Sequence, residues 1–260
     1  MENQIVLKTT ALCIGYSHKK QQNCIASDLN LALKKGTLTA LIGANGIGKS
    51  TLLRTITGIQ KPLSGTVLLQ HKNLNQYHSV ALAQEMSLVL TEKLPPSNLT
   101  VYELIALGRQ PYTNWIGKLS AIDLAKINDA ITLTQIEHLV HKKHYEISDG
   151  QLQIVLIARA LAQDTPLIIL DEPTTHLDLV HKVTLFKLLK KLAKETQKCI
   201  LFSTHDMDLA IQLSDEMIVM TNGSCVQDQP CNLIASGVFS SLFPNDAIVF
   251  DPEKGKFLIT

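Results

Sequence analysis

The stretch Leu41-Ile42-Gly43-Ala44-Asn45-Gly46-Ile47-Gly48-Lys49-Ser50-Thr51 holds a glycine, four spacers and then Gly-Lys-Ser. That spacing suits a phosphate-binding loop, whose glycines let the backbone bend until successive N–H groups point inward at phosphate oxygens. Lys49 has the reach for the two outer phosphates of a polyphosphate, and the Ser50 hydroxyl suits Mg²⁺. Gly43, Asn45, Gly46, Gly48 and Thr51 complete the candidate cradle. A second constellation is Leu167-Ile168-Ile169-Leu170-Asp171-Glu172. An apolar strand ending in an acid would hold Asp171 beside Ser50 to orient Mg²⁺. The next acid, Glu172, suits a general base or a water-orienting group at the last phosphate.

These groups need elements to position them. Leu38 to Ile42 is β-branched and apolar and reads as a buried strand. Ser50 to Ile59 reads as a helix whose positive N-terminal end faces the nucleotide. Before the loop, Ile5 to Tyr16 and Leu29 to Leu33 read as strands. After it come the turn at Pro62-Leu63-Ser64-Gly65 and strands at Thr66 to Leu69 and Ser87 to Leu90. Leu99 to Ala162 is helical in pattern, with Leu124, Ile127 and Ile131 at helical spacing and a polar passage from Pro111 to Gly117. Strand and helix then alternate: Leu167 to Leu170, Leu179 to Glu195, Cys199 to Phe202, Asp206 to Leu213 and Met217 to Met220. Such alternation predicts parallel strands with crossover helices. Asn222-Gly223 reads as a hairpin turn opening a β-rich tail.

Size and composition bound the answer. The chain has 260 residues, 18% of them charged and 45% hydrophobic, enough for one large α/β domain or a core with a subdomain. A formal net charge of +1 gives no electrostatic case for nucleic acid as the main partner. Cys13, Cys24, Cys199, Cys225 and Cys231 are scattered without a C-x-x-C pair, which suggests a reducing compartment and buried thiols. No basic, signal-like start and no apolar run of about 20 residues is visible, so the expectation is a soluble chain, with room left for it to sit against a membrane protein.

With these motifs in order, the chain resembles the ATPase subunits of ATP-binding cassette (ABC) transporters over nearly its whole length. Ile147-Ser148-Asp149-Gly150-Gln151 looks like the family's signature motif, usually Leu-Ser-Gly-Gly-Gln. Thr175-His176-Leu177-Asp178 looks like the D-loop, and Ser203-Thr204-His205-Asp206 like the switch-histidine loop. Tyr16 matches the aromatic that stacks on adenine. Alone, Tyr16 also reads as a packed or surface aromatic, and His205 as a strand-end histidine with a local hydrogen bond.

The resemblance implies an α/β fold: a P-loop NTPase core, with a mixed sheet, flanking helices and an antiparallel β part, and an inserted α-helical subdomain. The core would be 1–91 and 163–260, and the subdomain 92–162. It implies ATP and Mg²⁺ as ligands, with Lys49, Glu172 and His205 in the catalytic roles. Tyr16 and the loop residues would hold one face of the nucleotide. Ser148, Gly150 and Gln151 would come from a second copy in a head-to-tail pair, Asp178 of the D-loop would join the nucleotide-binding set, and Ser50, Asp171 and Glu92 would face the metal. The expected partners are that second copy, integral membrane permease subunits and, indirectly, a substrate-binding protein. The expected place is the cytoplasmic face of the inner membrane.

The chain departs from the family at two points. Asp149 stands where glycine is usual; pointing at the nucleotide it repels, turned outward at the helix start it is harmless or mildly stabilising, and outward is the expectation. The Q-loop glutamine is replaced: aligning on Pro95-Pro96 puts Glu92 there, or Thr91 if the register slips by one. A carboxylate still suits Mg²⁺ or its water. Leu99-Thr100-Val101 followed by Gly108-Arg109-Gln110-Pro111-Tyr112 is similar to the importers of iron–siderophore complexes, haem and cobalamin. In that group the permease docks on the helical insert, so Pro95-Pro96 and Gly108 to Trp115 are the expected docking area. Tyr112 and Trp115 read either as interface anchors or as packing for the insert itself. An exporter ATPase and a non-hydrolysing nucleotide switch are the rival readings.

Overall fold

The structure, a computed structural model, describes residues 4–18, 21–90, 95, 97–175, 177–222, 224–242 and 248–259. In chain order the elements are β1 (Ile5–His18), β2 (Gln21–Leu29), β3 (Ala32–Lys34), β4 (Leu38–Gly43), α1 (Lys49–Ile56), β5 (Ser64–Leu69) and β6 (Lys72–Asn73). Then come α2 (Ser79–Glu85), β7 (Met86–Val89), α3 (Val101–Ala106), α4 (Ala121–Thr134) and α5 (Asp149–Ala162). β8 (Leu167–Leu170), α6 (Leu179–Thr196), β9 (Cys199–Ser203), α7 (Met207–Leu213) and β10 (Glu216–Thr221) follow. The last are β11 (Ser224–Asp228), α8 (Pro230–Ala235), β12 (Ile248–Asp251) and β13 (Lys256–Ile259).

The central sheet runs β11-β10-β4-β9-β8-β7, parallel from β10 to β7 with β11 antiparallel at the edge. Its middle strands are buried on both faces, which is why they read as continuous apolar runs without alternation. The pleat still sorts them. Leu38, Ala40, Ile42, Ile168, Leu170, Ile200 and Phe202 point into a core with α3, α5, α6 and the tail, whereas Leu41, Ile169 and Leu201 join the core beneath α1 and the antiparallel sheet. That second sheet runs β2-β1-β5-β6, with β3 also on β1.

The helical insert is built as its periodicity predicts, with one shift. Ile127 and Ile131 are buried with Ala130 and Thr134, but Leu124 is turned outward and Asp123 takes the inward place. The reason lies in Arg109. Its Nε donates to Asp123 at 2.8 Å, its guanidinium donates to the Ala162 carbonyl at 2.8 Å, and it lies 3.9 Å from the centre of the Tyr112 ring. Gly108 fits against the same helix end, since a Cβ there would lie 2.3 Å from the Arg159 carbonyl oxygen. The Gly108–Tyr112 passage is therefore a staple on the C-terminal end of α5.

Other expectations are corrected. The strand read at Leu29 to Leu33 is two: β2 ends at Leu29 and β3 begins at Ala32, because Asn30 turns back to hydrogen-bond Asp28, whose φ is 55°. Most of β2, all of α2 and α8 escaped the sequence reading, being polar or short. Cys24 and Cys231 are exposed, against the expected buried thiols. Thr221 pairs with Ser224, the residues flanking the turn expected at Asn222-Gly223, of which Gly223 lies outside the described residues.

Candidate functional site

The site lies where β4, β8 and β9 end. Between β4 and α1 the chain turns through Gly46 at φ 76° and Gly48 at φ 112°, a region side-chain-bearing residues rarely adopt. A Cβ on Gly48 would also lie 2.6 Å from Ile25 Cγ2 of β2, so glycine is required twice over there. Lys49 is buried, and its ammonium donates to the Gly43 carbonyl at 2.8 Å and the Ala44 carbonyl at 3.2 Å. Burial pulls its pKa below the ordinary lysine value, and the charges of Glu172 and Asp171 push back. Thr51 Oγ1 lies 3.2 Å from the Tyr16 hydroxyl, and the Tyr16 ring is half exposed beside the loop.

Asp171 and Glu172 follow β8 directly. Ser203, the last residue of β9, ties them together: its hydroxyl donates to Asp171 Oδ1 at 2.6 Å and accepts the Glu172 N–H at 2.9 Å. Glu172 takes a φ of 46°, unusual for a residue with a side chain, and Thr175 closes that turn by donating its hydroxyl to the Glu172 carbonyl at 3.0 Å. The bend aims the carboxylate at His205, whose Nε2 lies 2.7 Å from Glu172 Oε1. Behind His205, Asp206 accepts from Thr174 Oγ1 and from Lys182 Nζ, each at 2.7 Å. The loop carrying His205 is thus braced from β8's exit and from α6.

The signature and D-loop groups are set by the starts of α5 and α6. Ser148 is the N-cap of α5, accepting the Gln151 N–H at 3.3 Å while the Gln151 side chain accepts the Ser148 N–H at 3.1 Å. Capping uses the oxygen of Ser148 and leaves its O–H free to donate. Asp149 is exposed in the first helical turn, where a carboxylate suits the helix dipole. A Cβ on Gly150 would touch Leu177 and His181 at 3.5 Å, so α5 starts against the D-loop end of α6. Asp178 caps α6 and binds the His181 ring at 2.8 Å.

For a divalent cation, Ser50 and Asp171 line one cavity of about 240 Å³ with Arg54, Leu88 and Ile169. The hydroxyl and carboxylate are hard oxygen donors of the kind Mg²⁺ takes, and Asp171 with Glu172 leaves two negative charges beside one lysine. The residues fit the ion. Glu92 and Thr91, the two readings of the Q-loop position, lie outside the described residues, as does His176.

Sequence reasoning placed Ser203 in the switch-histidine motif without a partner, and gave Thr174 and Lys182 no role. A serine ending an apolar strand one position short of Thr-His-Asp was the signal for Ser203; nothing local marks the other two. The anchors at the insert separate: Tyr112 packs under Arg109, whereas Trp115 is 94% exposed, with Ile116 and Ile122 also exposed nearby. No helix among the described residues is long and apolar enough to cross a membrane.

A sequence profile described as "ABC transporter" matches residues 26–175. The chain is 38% identical over 239 residues to an uncharacterized ABC transporter ATP-binding protein of Methanocaldococcus jannaschii, covering 92% of this chain and 81% of that one. It is 36% identical over 243 residues to the achromobactin transport ATP-binding protein of Dickeya dadantii, covering 93% and 89%. It is 36% identical over 252 residues to the iron(3+)-hydroxamate import ATP-binding protein of Bacillus subtilis, covering 96% and 92%. Among solved structures, an inward-facing metal-chelate type ABC transporter superposes with a TM-score of 0.79 at 26% identity, over 98% of this chain and 95% of that one. A dimeric bacterial ABC transporter cassette superposes with a TM-score of 0.72 at 27% identity, over 86% and 98%.

Proposed function

Because the chain belongs to the ABC transporter family as one of its ATP-hydrolysing subunits, we propose that it drives the import of iron–siderophore complexes through a membrane permease. Haem and cobalamin are the other chelates carried by the group that the Gly108–Tyr112 passage resembles. The names of the achromobactin and iron-hydroxamate relatives support the siderophore reading. The observation that carries the hydrolytic part is the Glu172–His205 pair at 2.7 Å, set beside Asp171 by the Ser203 bridge.

In this reading Lys49 leaves the Gly43 and Ala44 carbonyls and binds the outer phosphate oxygens, while the loop amides hold the inner ones. Tyr16 lies under the base. Ser50 and Asp171, with Glu92 expected as a third oxygen donor, would hold Mg²⁺, which would supply positive charge against the phosphates. Glu172 accepts the proton of the attacking water, and His205, next to it, contacts the last phosphate. Ser148 of a second copy donates its free O–H across the nucleotide, with Gly150, Gln151 and Asp178 beside it, and the α5 N-terminus adds its dipole. Two copies thus pair head to tail. The dimeric cassette relative supports the pairing of two copies. The exposed Trp115, Ile116 and Ile122 form the docking patch for the permease, and the chain sits peripherally on the cytoplasmic face, served by a substrate-binding protein outside.

The test is uptake of radiolabelled ferric hydroxamate by cells lacking this chain. Wild type should restore uptake and Glu172→Gln should not. Uptake that continues without the chain, or returns with Glu172→Gln, refutes the assignment.

A further inference from the structure

Two cysteines lie on neighbouring strands that lead into the nucleotide site. Cys13 on β1 and Cys24 on β2 place their sulfurs 3.0 Å apart. Cys13 is partly covered, facing Ser64 of β5 across the sheet, and Cys24 is exposed. The strands that carry them also carry groups of the site. Gly15 pairs with Cys24 and Tyr16 with Asn23, so the base-side aromatic lies in the next register positions. Ile25, directly after Cys24, is the side chain that a Cβ on Gly48 would strike at 2.6 Å. Any change at Cys24 therefore reaches Tyr16 through β1 and the phosphate loop through Ile25.

We propose that Cys13 and Cys24 are a modification site: a dithiol that a peroxide oxidises to an intrachain disulfide, tightening the grip of the adjoining loop on nucleotide. A disulfide needs its sulfurs about 2.05 Å apart, so closure moves them by about 1 Å. The bulges of β1 at Leu12, Ile14 and Gly15 give that segment room to adjust without breaking the ladder. Cys24 meets the oxidant first, being the exposed thiol. Its thiolate attacks one peroxide oxygen, the O–O bond breaks, and a sulfenic acid and hydroxide form, the hydroxide becoming water with the proton that the Cys24 thiol released. The Cys13 thiol then attacks the Cys24 sulfur. The S–S bond forms, the S–O bond breaks, and hydroxide leaves with the Cys13 proton as a second water. Burial, with the hydrogen bond to Cys24 next, holds the Cys13 thiol above its ordinary pKa, which suits the second, resolving partner rather than the first attacker. A small thiol reductant reverses the bond by exchange. Tying β2 to β1 fixes Ile25 and Tyr16 where nucleotide needs them, so the loop spends less ordering on binding.

The experiment uses the full chain, reduced or treated with one to two equivalents of hydrogen peroxide, then alkylated and cut with trypsin. Lys19 and Lys20 separate the two cysteines into different peptides, so a bond between them appears as one bridged species. The proposal expects that species in high yield, with Cys199, Cys225 and Cys231 still alkylated, and its loss on reduction. Titration with a fluorescent ATP analogue should give a Kd about threefold lower for the oxidised chain. Cys13→Ser and Cys24→Ser should bind like the reduced wild type before and after peroxide. Failure of the bridged peptide to form, or its formation with Cys231 instead, overturns the site. A bridged chain whose Kd is unchanged or raised overturns the coupling to nucleotide.

Discussion

Arg109→Met removes the cation that staples the Gly108–Tyr112 passage to α5 while keeping much of the side chain's apolar bulk. Arg109 and Asp123 are each 5% exposed at the side chain, and the guanidinium also serves the Ala162 and Gln163 carbonyls at 2.8 and 3.3 Å. Breaking a buried pair by removing one member costs about 3–5 kcal/mol. The lower end applies here, because Asp123 keeps the Ser120 hydroxyl at 2.6 Å and the Ser120 N–H at 2.8 Å. A loss of about 3 kcal/mol corresponds to a fall in Tm of about 6–12 °C for a domain of this size. The Ser120 hydroxyl first, then its N–H and Arg109, hold Asp123 below the usual carboxylate range. A depressed folded-state pKa contributes stability that is present above the unfolded value, about 3.9, and fades as pH falls through the folded one. The gap between wild type and variant should therefore be full at pH 7 and shrink below about pH 4. Urea and thermal unfolding measure it, and Arg109→Met/Asp123→Leu should recover part of the loss by removing the stranded charge. A fall in Tm under about 2 °C, together with weakened permease binding, would return the passage to the docking role its sequence suggested.

Three further outcomes follow from the site. Asp149→Gly should leave ATPase within a few-fold, since Asp149 is exposed in the first turn of α5; a loss of orders of magnitude in turnover refutes its outward placement. Glu172→Gln should lower kcat by about 10²–10⁴-fold, with nucleotide affinity and Tm preserved by the remaining amide contact to His205; an unchanged kcat removes Glu172 as the base. Glu92→Ala should lower both ATPase and transport and raise the Mg²⁺ needed for half-maximal rate, and unchanged values of all three dismiss the carboxylate as a metal group.

Legibility in the sequence followed physical range. β4, β8, β9 and β10 were readable because they are buried on both faces and so uniformly apolar, and α6 because it is long and amphipathic. The turn between β4 and α1 was readable because glycine suits the backbone at Gly48. β2 was missed because one face is solvated and its composition is polar. Contacts between distant segments carry no local pattern. The Ser203 bridge joins positions 31 and 32 residues apart, and the guanidinium of Arg109 reaches 53 residues along the chain. Leu124 and Asp123 exchanged places because a buried ion pair outweighed periodicity. Trp115 could be read either way, since exposure of a lone aromatic depends on packing that spacing does not encode.

The most direct measurement is sedimentation of Glu172→Gln with Mg²⁺ and ATP, beside the same chain carrying Ser148→Arg. The single variant should convert to a dimer on adding nucleotide. The double variant should bind nucleotide with the same affinity, through its intact loop, and remain a monomer. Equal dimerisation of both chains would contradict a nucleotide clasped between the loop of one copy and the α5 terminus of the other.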